Sequence, residues 1–190
     1  RVDGAIVELD AITVEEGAQI APLPRKAKKY LAIGDSITQG MDARGPASAY
    51  GVQLARMLDA ELLNIGVGGH IFDPNTLDDD LPYNPNIVTV AYGTNDWTRG
   101  TTREQIVETV EQYLKRLIEI VTSSADLYVL TPLWRAIGGE VKAGGTLIEF
   151  SAAIAEAASA LENVTVIDGS TLVPHLPVMF TDGTHPNDEG

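Results

Sequence analysis

The stretch Lys29-Tyr30-Leu31-Ala32-Ile33-Gly34-Asp35-Ser36-Ile37-Thr38-Gln39-Gly40 decides how the rest of the chain is read. A short apolar run, preceded by basic residues, stops abruptly at Gly34-Asp35-Ser36, and Gly40 closes the turn. A run of that length bounded by turn residues predicts a strand buried on both faces. Residues just past the carboxyl end of a parallel strand stand on the rim of an open sheet, where ligands bind. Ser36 is therefore placed with its hydroxyl exposed at the start of a following helix. The competing reading is purely structural, with Asp35 and Ser36 capping that helix and fixing the turn. The stretch alone does not decide between them.

Working outward, strand and helix patterns alternate. Tyr50 to Ala60 carries apolar residues at helical spacing, and Leu62 to Val67 reads as a second strand running into Gly66, Gly68 and Gly69. A loop from Asp73 to Asn86, rich in proline and aspartate, leads to a third strand over Ile87–Tyr92, which ends in Gly93-Thr94-Asn95-Asp96. Thr102 and Gln105 have the spacing of a capping box before a helix whose apolar face is Ile106, Val110, Tyr113, Leu114, Leu117, Ile118 and Val121. Leu127–Leu130 is a fourth strand. Thr146 and Glu149 repeat the capping spacing ahead of a second amphipathic helix, and Val164–Ile167 is a fifth strand. Such alternation predicts an α/β fold, a parallel five-stranded sheet between two helical layers.

Upstream, Val2 to Ile20 alternates loosely and is expected to form two short strands and a turn, followed by a linker with Pro22, Pro24 and a basic cluster. Residues 1–28 are accordingly set apart as a short β segment and linker, read as the end of a preceding β-rich domain in preference to an added edge to the main sheet, and residues 29–190 as the main domain. The chain is expected to be an excerpt of a longer protein. It begins at Arg1, and it stops soon after its last motif, where a further helix would be expected.

Composition narrows the partners. The 190 residues contain 27 acidic and 13 basic side chains, a formal charge of −14, a field that repels phosphate backbones. Nucleic acid is excluded as a main partner on that ground. No apolar run is long enough for a membrane helix. With no cysteine, disulfides, thiolate metal sites and a cysteine nucleophile are excluded. The run Asp78-Asp79-Asp80 reads as a solvated loop, and neither a metal nor a cofactor is expected.

The loops after successive strands share one rim of the sheet. They bring together Ser36, the glycines at 66, 68 and 69, Asn95, and, near the end of the chain, Asp182 three residues before His185. A serine hydroxyl needs an adjacent base to act as a nucleophile, and histidine is the usual one. Attack on an acyl carbonyl creates an oxyanion that needs fixed donors, which glycine N–H groups and an asparagine amide supply. The Asp182–His185 spacing lets a carboxylate fold back onto the ring. A Gly-x-Ser-x-Gly elbow is absent, because Thr38 stands where its last glycine would be.

Gly34-Asp35-Ser36-Ile37-Thr38, Asn64-Ile65-Gly66-Val67-Gly68-Gly69, Gly93-Thr94-Asn95-Asp96 and Asp182-Gly183-Thr184-His185-Pro186-Asn187 resemble, in order, the four signature blocks of the SGNH (GDSL-like) hydrolases. The resemblance implies a flavodoxin-like α/β/α sandwich with a shallow, open site and serine esterase activity. It assigns Ser36 as nucleophile, His185 as base and then acid, and Asp182 as the partner orienting His185. It assigns the oxyanion hole to the Ser36 N–H, a glycine N–H of the second block and the Asn95 side chain. Gly69 is taken as that glycine, with Gly66 and Gly68 as alternatives. The expected substrate is a small-molecule or oligosaccharide ester, foremost an O-acetyl group on carbohydrate. A lysophospholipase or thioesterase is the enzymatic alternative, and a non-catalytic carbohydrate-binding or scaffold domain the other. Trp97, and Trp134 in the long loop after the fourth strand, are candidates to line the substrate pocket. The second block departs from the family pattern at His70, where an acidic residue is common. His175, between two prolines, is assigned to structure.

Overall fold

The computed structural model describes residues 9–81, 83–121 and 124–190. Five parallel strands, β1 (Lys28–Gly34), β2 (Ala60–Asn64), β3 (Ile87–Ala91), β4 (Asp126–Leu130) and β5 (Val164–Ile167), form one sheet in the order β2-β1-β3-β4-β5. The chain steps from β1 to one side and then returns to its other side, so the switch point lies between β1 and β3. Open sheets bind ligands outside such a point. β1 lies between two neighbours and under helices, which is why Tyr30, Leu31, Ala32 and Ile33 are all essentially inaccessible.

The two faces of the sheet are covered unequally. Leu31, Ile33, Val88, Val90, Leu127 and Val129 project to one face and pack in a single core with α4 (Arg103–Ile120) and α5 (Leu147–Ser159). Both helices begin with the capping boxes expected from sequence, Thr102 with Gln105 and Thr146 with Glu149. The opposite face has a smaller core, in which Tyr30 and Ala32 meet Ala55 of α2 (Tyr50–Met57). Farther along that face Tyr128, Leu130 and Ile167 are only half-buried and Thr165 is exposed. Two further helices are short: α1 (Ser36–Gln39) follows β1, and α3 (Thr94–Thr98) follows β3.

Of the two strands expected upstream of β1, the second does not form among the described residues. Residues 9–27 contain no strand, and Leu9, Ile12, Val14, Ile20 and Leu23 are exposed; Ile6 and Val7 lie outside the described residues. Alternation marks residues that could share a face, but a strand also needs a hydrogen-bonded neighbour. The turn does form, with the Ala18 N–H donating to the Glu15 carbonyl and Gly17 at φ +84°.

Candidate active site

At the end of β1 the backbone turns so tightly that a Cβ on Gly34 would lie 2.1 Å from Thr38 Oγ1 and 2.8 Å from the Ala91 carbonyl oxygen. Asp35 caps α1 by accepting the Ile37 N–H at 2.9 Å, and Ser36 is the first residue of the helix. The cap and the rim serine, alternatives in the sequence, are neighbouring residues with separate positions, and Ser36 is buried rather than exposed as the sequence suggests, at 6%. Ser36 Oγ lies 2.7 Å from His185 Nε2, and His185 Nδ1 lies 2.7 Å from Asp182 Oδ2. The other Asp182 oxygen accepts the backbone N–H groups of Thr184 and His185, both at 2.9 Å. A bridge between Phe180 and Pro186 closes this turn, with the Thr181 N–H donating to the His185 carbonyl.

The electrostatics fit the geometry. Burial works to raise the Asp182 carboxyl, but the N–H donors of His185 and Thr184, the ring and its charge outweigh it and hold the group down at about 2. Asp182 is therefore an acceptor at any neutral pH. Asp35 behaves oppositely. Burial pushes its carboxyl up to about 6, opposed in part by the Ile37 N–H and by the charge of His185.

The second block leaves the sheet at Asn64, earlier than the expected end at Val67. The Asn64 side chain donates to the Thr38 carbonyl and accepts the Gly66 N–H, and a Cβ on Gly66 would lie 2.4 Å from the Gln39 nitrogen. Gly68 donates its N–H to Gln39 Oε1. Among the described residues no acceptor takes the Gly69 N–H, while its carbonyl is held by Arg99 Nη2 at 2.7 Å. Of the three glycines, Gly69 is thus the one with a donor to spare.

The third block puts Asn95 in the first turn of α3, where its Nδ2 donates to the His70 carbonyl at 2.9 Å and, more weakly, to Asp35 Oδ2 at 3.3 Å. The backbone carbonyl of His70 thereby ties the second and third blocks together. Asp96, the next residue, is buried. Its Oδ1 accepts the Phe72 N–H at 3.2 Å, and its Oδ2 has no partner among the described residues. Phe72 in turn packs edge-on against Tyr92 and Tyr113, anchoring the loop after β2 to the main core.

Trp97 does not line a pocket. Successive helical residues are about 100° apart, so two positions beyond Asn95 the side chain points to the opposite side of α3. Trp97 is fully buried and its Nε1 donates to the Gly145 carbonyl at 3.0 Å, with Lys142 Nζ 4.6 Å from the ring centroid. It pins the long loop after β4 to the body of the domain. Trp134 does line a groove, of about 450 Å³, with Arg135, Ile148, Ser151 and His175. One ring face is already occupied by His175, stacked at 5.2 Å and 10°, and Phe180 packs nearby at 5.7 Å. His175 also contacts the Ser170 carbonyl at 2.7 Å, a structural task as expected. A second cavity, about 360 Å³, is lined by Asp35, Ile37, Met41, Tyr92, Leu130 and Pro186 among others. Ser36 and His185 line neither cavity and stand on the rim beside them.

Asp42 was not singled out in the sequence, which carries no motif around it. Its Oδ2 lies 3.9 Å from His185 Nδ1, and ligating atoms of Asp42, Asp182 and His185 fall within 4.8 Å of one another. Both ring nitrogens of His185 already face partners, Ser36 and Asp182, so the trio offers an ion no free imidazole lone pair.

Ser36, His185 and Asp182 thus form one hydrogen-bonded line on the rim of the sheet. Residues 32–190 match the model of the GDSL-like lipase/acylhydrolase family, and the chain belongs to that family of ester-bond hydrolases. Solved structures with the same fold include a salicylyl-acyltransferase, SsfX3, from a tetracycline biosynthetic pathway (TM-score 0.74, 18% identity, 88% of this chain and 51% of that one). They also include a variant of the acetyl xylan esterase Axe2 from Geobacillus stearothermophilus (0.65, 19%, 86% and 89%). A family two carbohydrate esterase from Cellvibrio japonicus is a third (0.67, 21%, 91% and 60%). The chain thus spans about half the length of the acyltransferase. No curated protein matches it in sequence.

Proposed function

We propose that this domain is a serine esterase that removes short acyl groups, with O-acetylated carbohydrate as its substrate class, through an acyl-enzyme on Ser36. The observation that carries the reading is the unbroken relay Ser36–His185–Asp182, with 2.7 Å at each step. His185 Nε2 takes the hydroxyl proton as Ser36 Oγ attacks the acyl carbon, and the carbonyl electron pair moves onto oxygen. Asp182, ionised down to a pH of about 2, keeps Nδ1–H in place and balances the imidazolium. The oxyanion is received by the N–H groups of Ser36 and Gly69 and by Asn95 Nδ2. For Asn95 this means giving up the longer of its two bonds, the 3.3 Å contact to Asp35. His185 then protonates the leaving alcohol, and water, activated by the same imidazole, releases the acid.

Carbohydrate is favoured over lipid because two of the solved structures sharing the fold carry carbohydrate ester activities in their names. The apolar cavity beside Asp35 and Pro186 favours a second reading, a longer-chain acyl hydrolase. An acyl chain would have to pass those two residues to enter it, since Ser36 is not in its wall. Ser36→Ala should abolish hydrolysis of 4-nitrophenyl acetate while leaving the fold intact by circular dichroism. Retained activity in that variant refutes the mechanism. A series of C2 to C12 esters run beside acetylated oligosaccharides decides the substrate class, and a preference for C8 or longer selects the lipid reading.

A further inference from the structure

Asp42 is a carboxylate beside His185 to which neither the relay nor the serine turn gives a task. It sits just after α1, with its backbone at φ +66°, a left-handed conformation that aspartate adopts more readily than most residues but that remains uncommon. The loop carrying it is fixed at both ends. Met41 N–H donates to the Ser36 carbonyl at 2.9 Å, and Arg44 binds Asp188 through its backbone N–H and its guanidinium, at 2.8 and 3.2 Å. Arg44 is therefore turned away to another acid. Among the described residues, the only cationic group within ion-pair distance of Asp42 is the His185 ring. At 3.9 Å the contact is too long for a hydrogen bond, so Asp42 acts on the ring through charge.

We propose that Asp42 is a second counter-charge for His185, a positioning residue that works with Asp182 to stabilise the imidazolium formed when the ring accepts the Ser36 proton. The inference rests on the esterase reading above. Three carboxylates bear on the histidine, and one cation bears on its partner. Asp182 hydrogen-bonds Nδ1, Asp42 faces the same nitrogen, and Asp35 acts from the cap of α1. Arg135, from the loop after β4, is near enough to interact with Asp182. The side chain of Asp42 is 29% exposed and that of Asp182 48%, so Asp42 is the less hydrated of the two carboxylates near Nδ1. That partial shelter is why its charge should be felt despite the greater distance.

The test uses Asp42→Asn and Asp42→Gly, both compatible with the left-handed backbone, in the same chain. Each should lower kcat for 4-nitrophenyl acetate about five- to tenfold with KM unchanged, and move the acid limb of the pH–rate profile to lower pH. In an Asp182→Asn background, where Asp42 is the nearer remaining charge, Asp42→Asn should cost more, about thirtyfold. A readout independent of turnover is the NMR titration of the His185 ring in the Ser36→Ala protein, which should move to lower pH when Asp42 is replaced. Unmoved pH profiles and an unmoved ring titration overturn the proposal, as does a loss carried by KM alone. If Ser36→Ala itself retains activity, the esterase reading fails instead, and the ring titration still reports on Asp42.

Discussion

Replacing Asp96 by asparagine should stabilise the protein, and the gain should depend on pH. Asp96 is 2% exposed, and burial, with a smaller contribution from the neighbouring Asp35 charge, pushes its carboxyl from 3.8 up to about 6 against the N–H groups that lower it. The folded state therefore holds this proton more tightly than the unfolded chain. Stability falls as pH rises from about 4 to about 6 and stays reduced above. Each pH unit is worth about 1.4 kcal/mol, so the ionised carboxylate costs the fold about 3 kcal/mol at pH 7. Asparagine keeps the acceptor for the Phe72 N–H but places an NH2 where Oδ2 lacks a partner, at a cost of about 1 kcal/mol. The net gain is about 2 kcal/mol at pH 7 to 8, a rise in Tm of about 4–8 °C for a chain of this size. Near pH 4 the folded-state carboxyl is protonated and the unfolded one about half so; most of the cost of about 3 kcal/mol is then gone, and the gain should give way to a small loss from the unpaired NH2. Urea melts of both proteins from pH 4 to pH 8 measure this directly. An equal effect of the substitution at every pH, or a loss at pH 8, would refute the reasoning.

Other perturbations separate the parts of the site. Asn95→Ala should lose on the order of 10²-fold in kcat with little change in KM, as expected for one oxyanion donor, and a wild-type rate would remove it from that role. Gly34→Ala should destabilise the domain by about 3 kcal/mol, because the added methyl meets Thr38 and the Ala91 carbonyl; an unchanged melting curve would contradict the tight turn. Asp182 has a depressed carboxyl, so its contribution to stability is present above its ordinary range near 3.8 and is lost as pH falls toward 2. Asp182→Asn should accordingly lower stability at pH 7 but not at pH 2, which acid-dependent unfolding curves can check.

The sequence was most legible where local chemistry and tertiary demand coincide. Thr102 with Gln105 and Thr146 with Glu149 announce their helices through donors that any isolated helix start must satisfy. The five strands are readable because a buried parallel sheet needs apolar residues on both faces. The serine, histidine and aspartate could be placed on one rim because chain order and the sheet rule fix which loops converge. Long-range pairing was not readable. Ile12 and Val14 look like strand residues but have no paired edge, and Trp97 looks like a pocket aromatic until α3 turns it inward. Asp42 has no local signal, since its meaning comes from His185, which lies 143 positions further along by their numbers.

The closeness of backbone to backbone around Gly34 and Gly66 has a consequence for how such a domain can change. Gly34 lies against the Thr38 side chain of α1 and the Ala91 carbonyl, and Gly66 against the main chain at Thr38 and Gln39, so the pose of Ser36 is set from beneath by close packing. The loop after β4 is moored through Lys142 and Gly145 to Trp97, on the short helix α3 that also carries Asn95. The exposed side chains of that loop have room to vary, whereas a methyl group added at either glycine meets the serine turn head-on.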